Sequence, residues 1–515
     1  MRIFLAALFL GSVAVAQDWP QGSGPNGDFR TDGDAPTQWS VALDQNIVWK
    51  KTLPETGQST VVIQGDRLFF TTMKEVEADS KIGKDIVAWC CDAETGRTLW
   101  KREIPGTYQT KLSGSFGDAS APSPVTDGER VIFVNPSGRI VCFDLDGEEL
   151  WTREVFSVAR TQPMILDGLL ISHRQIYLPD DVGHFTNENA KAPVEKWTQL
   201  QAREAKSSKV RWTSECGVNM GSIPLPQQLL DGTWVFVVGR GGGHGPPEKP
   251  EGVSMIRADD GSTMWTLELP GFMSTQTYPV HNNQALVFHK GDHLWVNALT
   301  GKIDKTVSII GKQAVDSKDL KVSASGVDVP AKKPRSIIQQ SNLLVGKYHY
   351  FRSYTLNCIG RVDVESGEVR YLRAPLQALR VPGKPEQLLW DESQLPADRE
   401  VTKKQKGAIN YISFRPNSMK NSRGFVVMGD GRSVGNGWGH NASAIPTAIG
   451  DHVYFPMMNG TVFVVKAGTE SFDEDALVSV NDLGPAGEAF TRSSISFGNG
   501  RVFARTIREL ICIGE

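Results

Sequence analysis

The sequence predicts an all-β fold: an eight-bladed β-propeller of four-stranded antiparallel blades, with the last blade closed by an N-terminal strand. Three observations predict it. A short phrase ending in an aromatic residue recurs along the chain. A second hairpin signal precedes each copy. Glycine makes up 51 of 515 residues, above the usual ~7%, and falls where tight turns need it.

The phrase is clearest at Ala93-Glu94-Thr95-Gly96-Arg97-Thr98-Leu99-Trp100 and at Ala258-Asp259-Asp260-Gly261-Ser262-Thr263-Met264-Trp265. Ala205 to Trp212 keeps the same spacing, and Val364 to Tyr371 ends in tyrosine. Ala298 to Lys302 stops before the aromatic, and Asp144 to Trp151 is one residue shorter. An alternating apolar strand leads into each phrase, Gly turns the chain with positive φ, and a short strand carries the aromatic. Upstream lies another hairpin, as in Asp127 to Val134 and Asp231 to Val238. Its glycine, or the equivalent residue, counts the units: Gly65, Gly128, Gly168, Gly232, Asn283, Gly346, Gly450 and Gly500. The last unit ends at Leu510 to Ile513 without a fourth strand. Asn46 to Lys50 reads as a Trp-ending strand without a hairpin before it, so pairing the two closes the ring and removes two free edges.

Residues 1–16 read as a signal peptide. Met1-Arg2 is positive, Ile3 to Val15 is apolar or small, and Ala14-Val15-Ala16 offers a cleavage site before Gln17. The run is shorter than the ~20 residues of a bilayer span, no cysteine follows it for lipid attachment, and no transmembrane segment is expected further on. The mature chain, 17–515, is expected to be one propeller domain, monomeric, and periplasmic or secreted. Insertions interrupt it near 177–198, 306–340 and 372–442.

Charge excludes some partners. The 55 Lys and Arg nearly balance the 58 Asp and Glu, a net of -3, so nothing points to nucleic acid. Loops between second and third strands share one face with the connections between blades. The insertions fall there, making it the working face. Basic residues recur where second strands end on it: Lys74, Arg174, Arg240, Lys290, Arg352 and Arg505. If they point to the axis they form a positive funnel, suited to a carboxylated cofactor, an acidic glycan or an acidic peptide. His244, and His440 with Asn441, lie in glycine-rich loops on the same face. Gly239 to Gly243 lacks the Lys-Ser/Thr of a phosphate loop and leads into prolines, so it reads as a flexible or close-approach loop. No Gly-x-Ser-x-Gly elbow and no haem-binding Cys-x-x-Cys-His occurs.

The Ala-x-x-Thr-Gly-x-x-x-Trp phrases resemble those of the pyrroloquinoline-quinone (PQQ) repeat family, the quinoprotein alcohol dehydrogenase-like propellers. Trp19 to Gly27 resembles the opening segment of its secreted bacterial members. The resemblance implies that the phrase tryptophans pack between blades. It also implies one of two activities: a PQQ- and calcium-dependent dehydrogenase of alcohols or sugars, or a non-catalytic scaffold. Dehydrogenases of the family hold calcium with Glu, Asn and Asp, use an Asp base, and often carry a disulfide between adjacent cysteines. No segment here matches those ligands closely enough to assign them. Cys90-Cys91 invites the disulfide comparison, but neighbours on a strand face opposite ways, and two core thiols are the simpler reading. The expected function is therefore a non-catalytic binding or scaffold module, binding a protein, peptide or acidic glycan at the axial face. The alternative is a PQQ/calcium periplasmic dehydrogenase.

Overall fold

Eight sheets of four strands or more form the ring of the computed structural model, and the four blade strands of each pair antiparallel, in chain order in blades 1 to 7. It describes residues 18–76, 83–107, 119–155, 162–174, 197–219, 221–241, 249–272, 274, 276–310, 313–316, 327–328, 341–352, 357–390, 394, 400–401, 412–413, 420–424, 438 and 444–514. Among these there is no α-helix, and no helix long and apolar enough to cross a membrane.

Blade 1 runs through Val62–Gln64, Arg67–Met73, Ile86–Asp92 and Thr98–Ile104, and blades 2 to 7 repeat the plan. Blade 8 takes Ser496–Gly498, Arg501–Arg505 and Glu509–Ile513 from the C-terminus, and its outer strand, Ile47–Thr52, from the N-terminus. Trp49 pairs with Cys512 and Thr52 with Glu509, as ring closure requires. Blade 6 is widened: Gln313–Asp316, from the 306–340 insertion, adds in parallel to its outer strand.

The repeat phrase now has a physical explanation. In each of seven blades a β-bulge falls where the third strand meets the fourth, between Cys90 and Cys91 in blade 1 and at matching places in blades 2, 3, 4, 5, 7 and 8. In blades 1, 2, 3, 4 and 8 the bulge swings the following Trp into the seam with the next blade. Its indole N–H then donates to a carbonyl of that blade's phrase: Trp49 to Ala93, Trp100 to Leu145, Trp151 to Ala205, Trp212 to Ala258 and Trp265 to Ala298, at 2.7–3.2 Å. The phrase glycine lies under the same ring. A Cβ on Gly261 (φ +77°) would sit 2.7 Å from Trp212, and one on Gly301 2.8 Å from Trp265. Glycine is thus required twice, for the turn and for the close approach.

All six cysteines are buried and free. Cys90 faces the seam of blades 1 and 2, while Cys91 faces that of blades 8 and 1. The adjacent pair is therefore two core thiols, and burial pushes Cys90 up to about 12.

Candidate functional site

The inner strands surround the axis, and residues 18–31 plug it. Asp18 caps the first-hairpin turn of blade 1, accepting from Gln64 Nε2 and from the Gly65 amide. Trp19 exchanges backbone hydrogen bonds with Ile63 at 2.9 Å, and its side chain is wholly buried. Gln21 bridges to Val125 of blade 2 and accepts from the Ile165 amide of blade 3. The chain then crosses to blade 7, where Arg30–Thr31 pairs in parallel with Ala448 and Ile449. Gly27 (φ +74°) marks the tightest crossing: a Cβ there would lie 2.6 Å from Pro226 of blade 4. Both ends of the segment meet first-hairpin turns, at Gly65 and Gly450. The segment thus lies at the tight-turn end of the axis.

At the loop-face ends of the inner strands runs a belt of hydroxyls and amides. Ser120 and Ser123 of blade 2 accept from the backbone of Gln58 and Thr60. Ser493 donates back to Gln58 and Ser59, which ties blade 8 to blade 1. Thr277 donates to Asn342 at 2.7 Å, Ser341 to Ala444, and Thr447 to Ile495, carrying the belt through blades 5 to 8. Such bonds satisfy backbone groups that the crossing connections would otherwise bury unpaired.

The sequence-predicted basic residues take several positions. Arg505 reaches the belt: its guanidinium donates to Ser59 Oγ and the Thr71 carbonyl and stacks over Phe70. Gly57 makes that possible, since a Cβ there would lie 2.1 Å from the guanidinium. Arg240 is buried but turns to its own blade, donating to Thr266 Oγ1 and the Lys249 carbonyl beside Trp197. Arg352 is buried beside Trp438, 6.0 Å from the ring centre. Arg174 is half-buried and donates to Gln199 Oε1. Lys74 pairs with Glu103 at 2.6 Å, and Lys290 is exposed in a tight turn. His244, His440 and Asn441 lie outside the described residues, as does all of the 177–198 insertion but Trp197 and Thr198.

Sequence reasoning missed the plug, the belt and one buried carboxylate. Glu55 accepts from the Thr56 amide and from both the amide and hydroxyl of Ser422, so the 372–442 insertion is latched to the rim of blade 1. A hairpin of the same insertion, Gln377–Leu379 with Gln387–Leu389, docks on blade 7 through Gln377 and the Asn459 carbonyl. The signals were present: three glycines within Gly22 to Gly27, and Ser or Thr just before the inner strands of blades 1, 2 and 8.

Comparison with known proteins places this geometry. Residues 39–160 match the family model described as "Outer membrane protein assembly factor BamB". The chain is an eight-bladed propeller with a PQQ-type repeat match over residues 39–160. A europium-containing methanol dehydrogenase shares the fold with TM-score 0.52 at 8% identity, over 95% of this chain and 89% of that one. The quinohemoprotein alcohol dehydrogenase ADHIIG of Pseudomonas putida HK5 follows at TM-score 0.50 and 10% identity, over 96% and 80%. The BamB of Moraxella catarrhalis superposes at TM-score 0.35 and 13% identity, over 76% and 93%. No curated protein matches the sequence. Identities this low establish the fold alone.

A calcium–quinone pair would need hard oxygen ligands, carboxylates above all. The described residues of this propeller do not supply that set. Among them no three His, Cys, Asp or Glu gather to hold a metal, and both oxygens of Glu55 are engaged. The belt's hydroxyls, amides and the Arg505 guanidinium are committed to hydrogen bonds within and between blades.

Proposed function

We propose that the protein is exported and acts as a non-catalytic binding module, presenting its loop face to an acidic peptide or glycan. The observation that carries this reading is the make-up of the axial end. The plug lies at one end, and at the other, beyond the inter-blade belt, second strands end in the half-buried Arg174 and the exposed Lys290. Donors of this kind pair with carboxylate or sulfate oxygens. The outer-membrane description of the matched family, and the leader expected at residues 1–16, agree with a role outside the cytoplasm.

Calorimetry tests the reading. Hexaglutamate peptide is expected to bind the purified mature chain, and the Arg174→Ala/Lys290→Ala double variant is expected to bind it several-fold more weakly. PQQ with Ca²⁺ is expected to give no dye-linked alcohol or sugar oxidation. Stoichiometric PQQ uptake with Ca²⁺-dependent dye reduction would overturn the proposal in favour of the dehydrogenase.

A further inference from the structure

The repeat provides its own control for every turn on the opposite, tight-turn face, and blades 4 and 5 break it together. The second residue of the phrase turn is charged in five blades: Glu94, Asp146, Lys206, Asp259 and Glu365. In blade 5 it is Leu299, 56% exposed. Where the first hairpin closes, other blades place Arg67, Gln284, His452 and Arg501, or an apolar residue that is buried or half-buried, as Val131, Tyr348 and Leu169 are. Blade 4 places Trp234 there, 39% exposed. Blade 4 also has the long first hairpin. Gln228 and Trp234 are separated by five residues, 229–233, where Gln64 and Arg67 are separated by two. That loop lifts Leu230 to 75% exposure.

The three apolar side chains belong to one patch. The Leu230 amide donates to Asn283 Oδ1, and the Ala298 amide, next to Leu299, donates to the Asn283 carbonyl. Asn283 thus joins the blade 4 loop to the blade 5 turn, and Trp234 stands on the hairpin that carries Leu230. Large exposed apolar side chains clustered within a polar rim mark interaction sites. The rim is acidic. Asp231 follows Leu230, and the Ala258 amide donates to the Trp234 carbonyl, which brings the Asp259-Asp260 turn alongside. Arg257 sits among these three carboxylates and is bonded to Asp259. Hydrogen bonds from Thr233 hold Asp231 below the usual carboxylate range, so it is ionised at neutral pH.

We propose that this patch docks a polypeptide segment in which apolar side chains are flanked by lysine or arginine. The apolar groups would cover Leu230, Trp234 and Leu299, and the cations would meet Asp231 and Asp260. A second copy of the chain fits poorly, because a two-fold contact would set the same carboxylates against each other. The surface lies on the face away from the axial belt, so the two sites are independent.

The probe is a ten-residue peptide alternating Lys with Leu and Trp, measured by calorimetry on the mature chain. Two companions replace Lys by Glu, or Leu and Trp by Ser. The first peptide alone is expected to bind, more weakly as salt rises. Leu230→Asp/Leu299→Glu gives the turns the charge found in other blades, and should lower affinity at least tenfold with the melting temperature unchanged. Leu150→Asp, at an exposed leucine of blade 2, should leave affinity unchanged. Equal binding by the Glu peptide, or undiminished binding by the double variant, overturns the proposal. So does sedimentation as a dimer that Leu299→Glu dissociates, which would assign the patch to self-association.

Discussion

Two arcs of the ring are held together differently. From blade 8 round to blade 5, each seam is bolted by a Trp whose indole N–H crosses to the next blade. From blade 6 to blade 8 that bolt is missing, and other parts of the chain fill the seam. Between blades 6 and 7, Arg361 donates to the carbonyls of Thr469 and Glu470 at 2.5 and 2.9 Å, with its guanidinium 4.0 Å from the centre of the Tyr348 ring and 4.8 Å from that of Phe472. Between blades 7 and 8, Trp39 enters from the N-terminal segment, stacks on Tyr454 and donates to the Asp482 carbonyl. A seam therefore needs a flat, buried group with a crossing donor. It does not need that group to be a Trp, nor to come from the same place in the repeat.

The largest break in this comparison is to remove a bolt. Trp151→Ala should cost ~3–5 kcal/mol, as expected for a large aromatic removed from a packed seam. Trp151→Phe, which keeps most of the ring and loses the donor to Ala205, should cost about 1–2 kcal/mol. Urea unfolding of both variants measures the difference, and equal losses would mean that the hydrogen bond, not the packing, holds the seam.

The glycine beneath a bolt should matter next. Gly261→Ala must adopt φ near +77° and place its Cβ 2.7 Å from Trp212. Backbone strain and overpacking together predict a loss of ~2–3 kcal/mol. The same change at Gly168, also at positive φ but with nothing within 4 Å, should cost only the backbone part, about 1 kcal/mol. In the other arc, Arg361→Leu keeps bulk between the two rings but leaves two carbonyls without this donor, and should cost about 1–3 kcal/mol.

The same contrast explains what could be read in the sequence. The bolted arc was legible because turn glycine, bulge and Trp are local and recur at fixed spacing. The closing strand at Ile47–Thr52 was legible because it carries a Trp without a hairpin of its own. The Arg361 clamp was not, since its partners lie more than 100 residues away and no spacing announces them. The plug was visible only as an opening segment, because its contacts reach blades 1, 2, 3, 4 and 7. For the candidate site, the basic strand ends were found but their directions were not. Whether an arginine lines an axis or folds back on its own blade, as Arg240 does, depends on seam packing rather than on local pattern.

The junction of the two arcs gives the smallest and most specific effect. At the seam of blades 5 and 6 the bolt is Trp295, from the third strand rather than the fourth, donating to Val364. Against it lies His293, whose Nε2 is 2.8 Å from Nδ1 of His349, itself bonded to Asn342 of the belt. Both imidazoles are fully buried. Burial pushes His349 down to about 3, and burial with the neighbouring His349 and Lys305 holds His293 well below its ordinary 6.5. Both are then neutral in the folded state at pH 7. Below about pH 6.5 the unfolded chain binds protons that the folded chain refuses, so stability falls as pH falls, by up to ~1.4 kcal/mol per pH unit for each such group. His349→Gln removes one of them while keeping a side chain able to hydrogen-bond to both neighbours. The urea midpoint of this variant should drop less between pH 7 and pH 5 than that of the parent. A steeper drop in the variant would show that the pair is already protonated in the folded protein. In that case this seam is held by a buried charge, and it belongs with the Arg361 arc rather than with the Trp-bolted one.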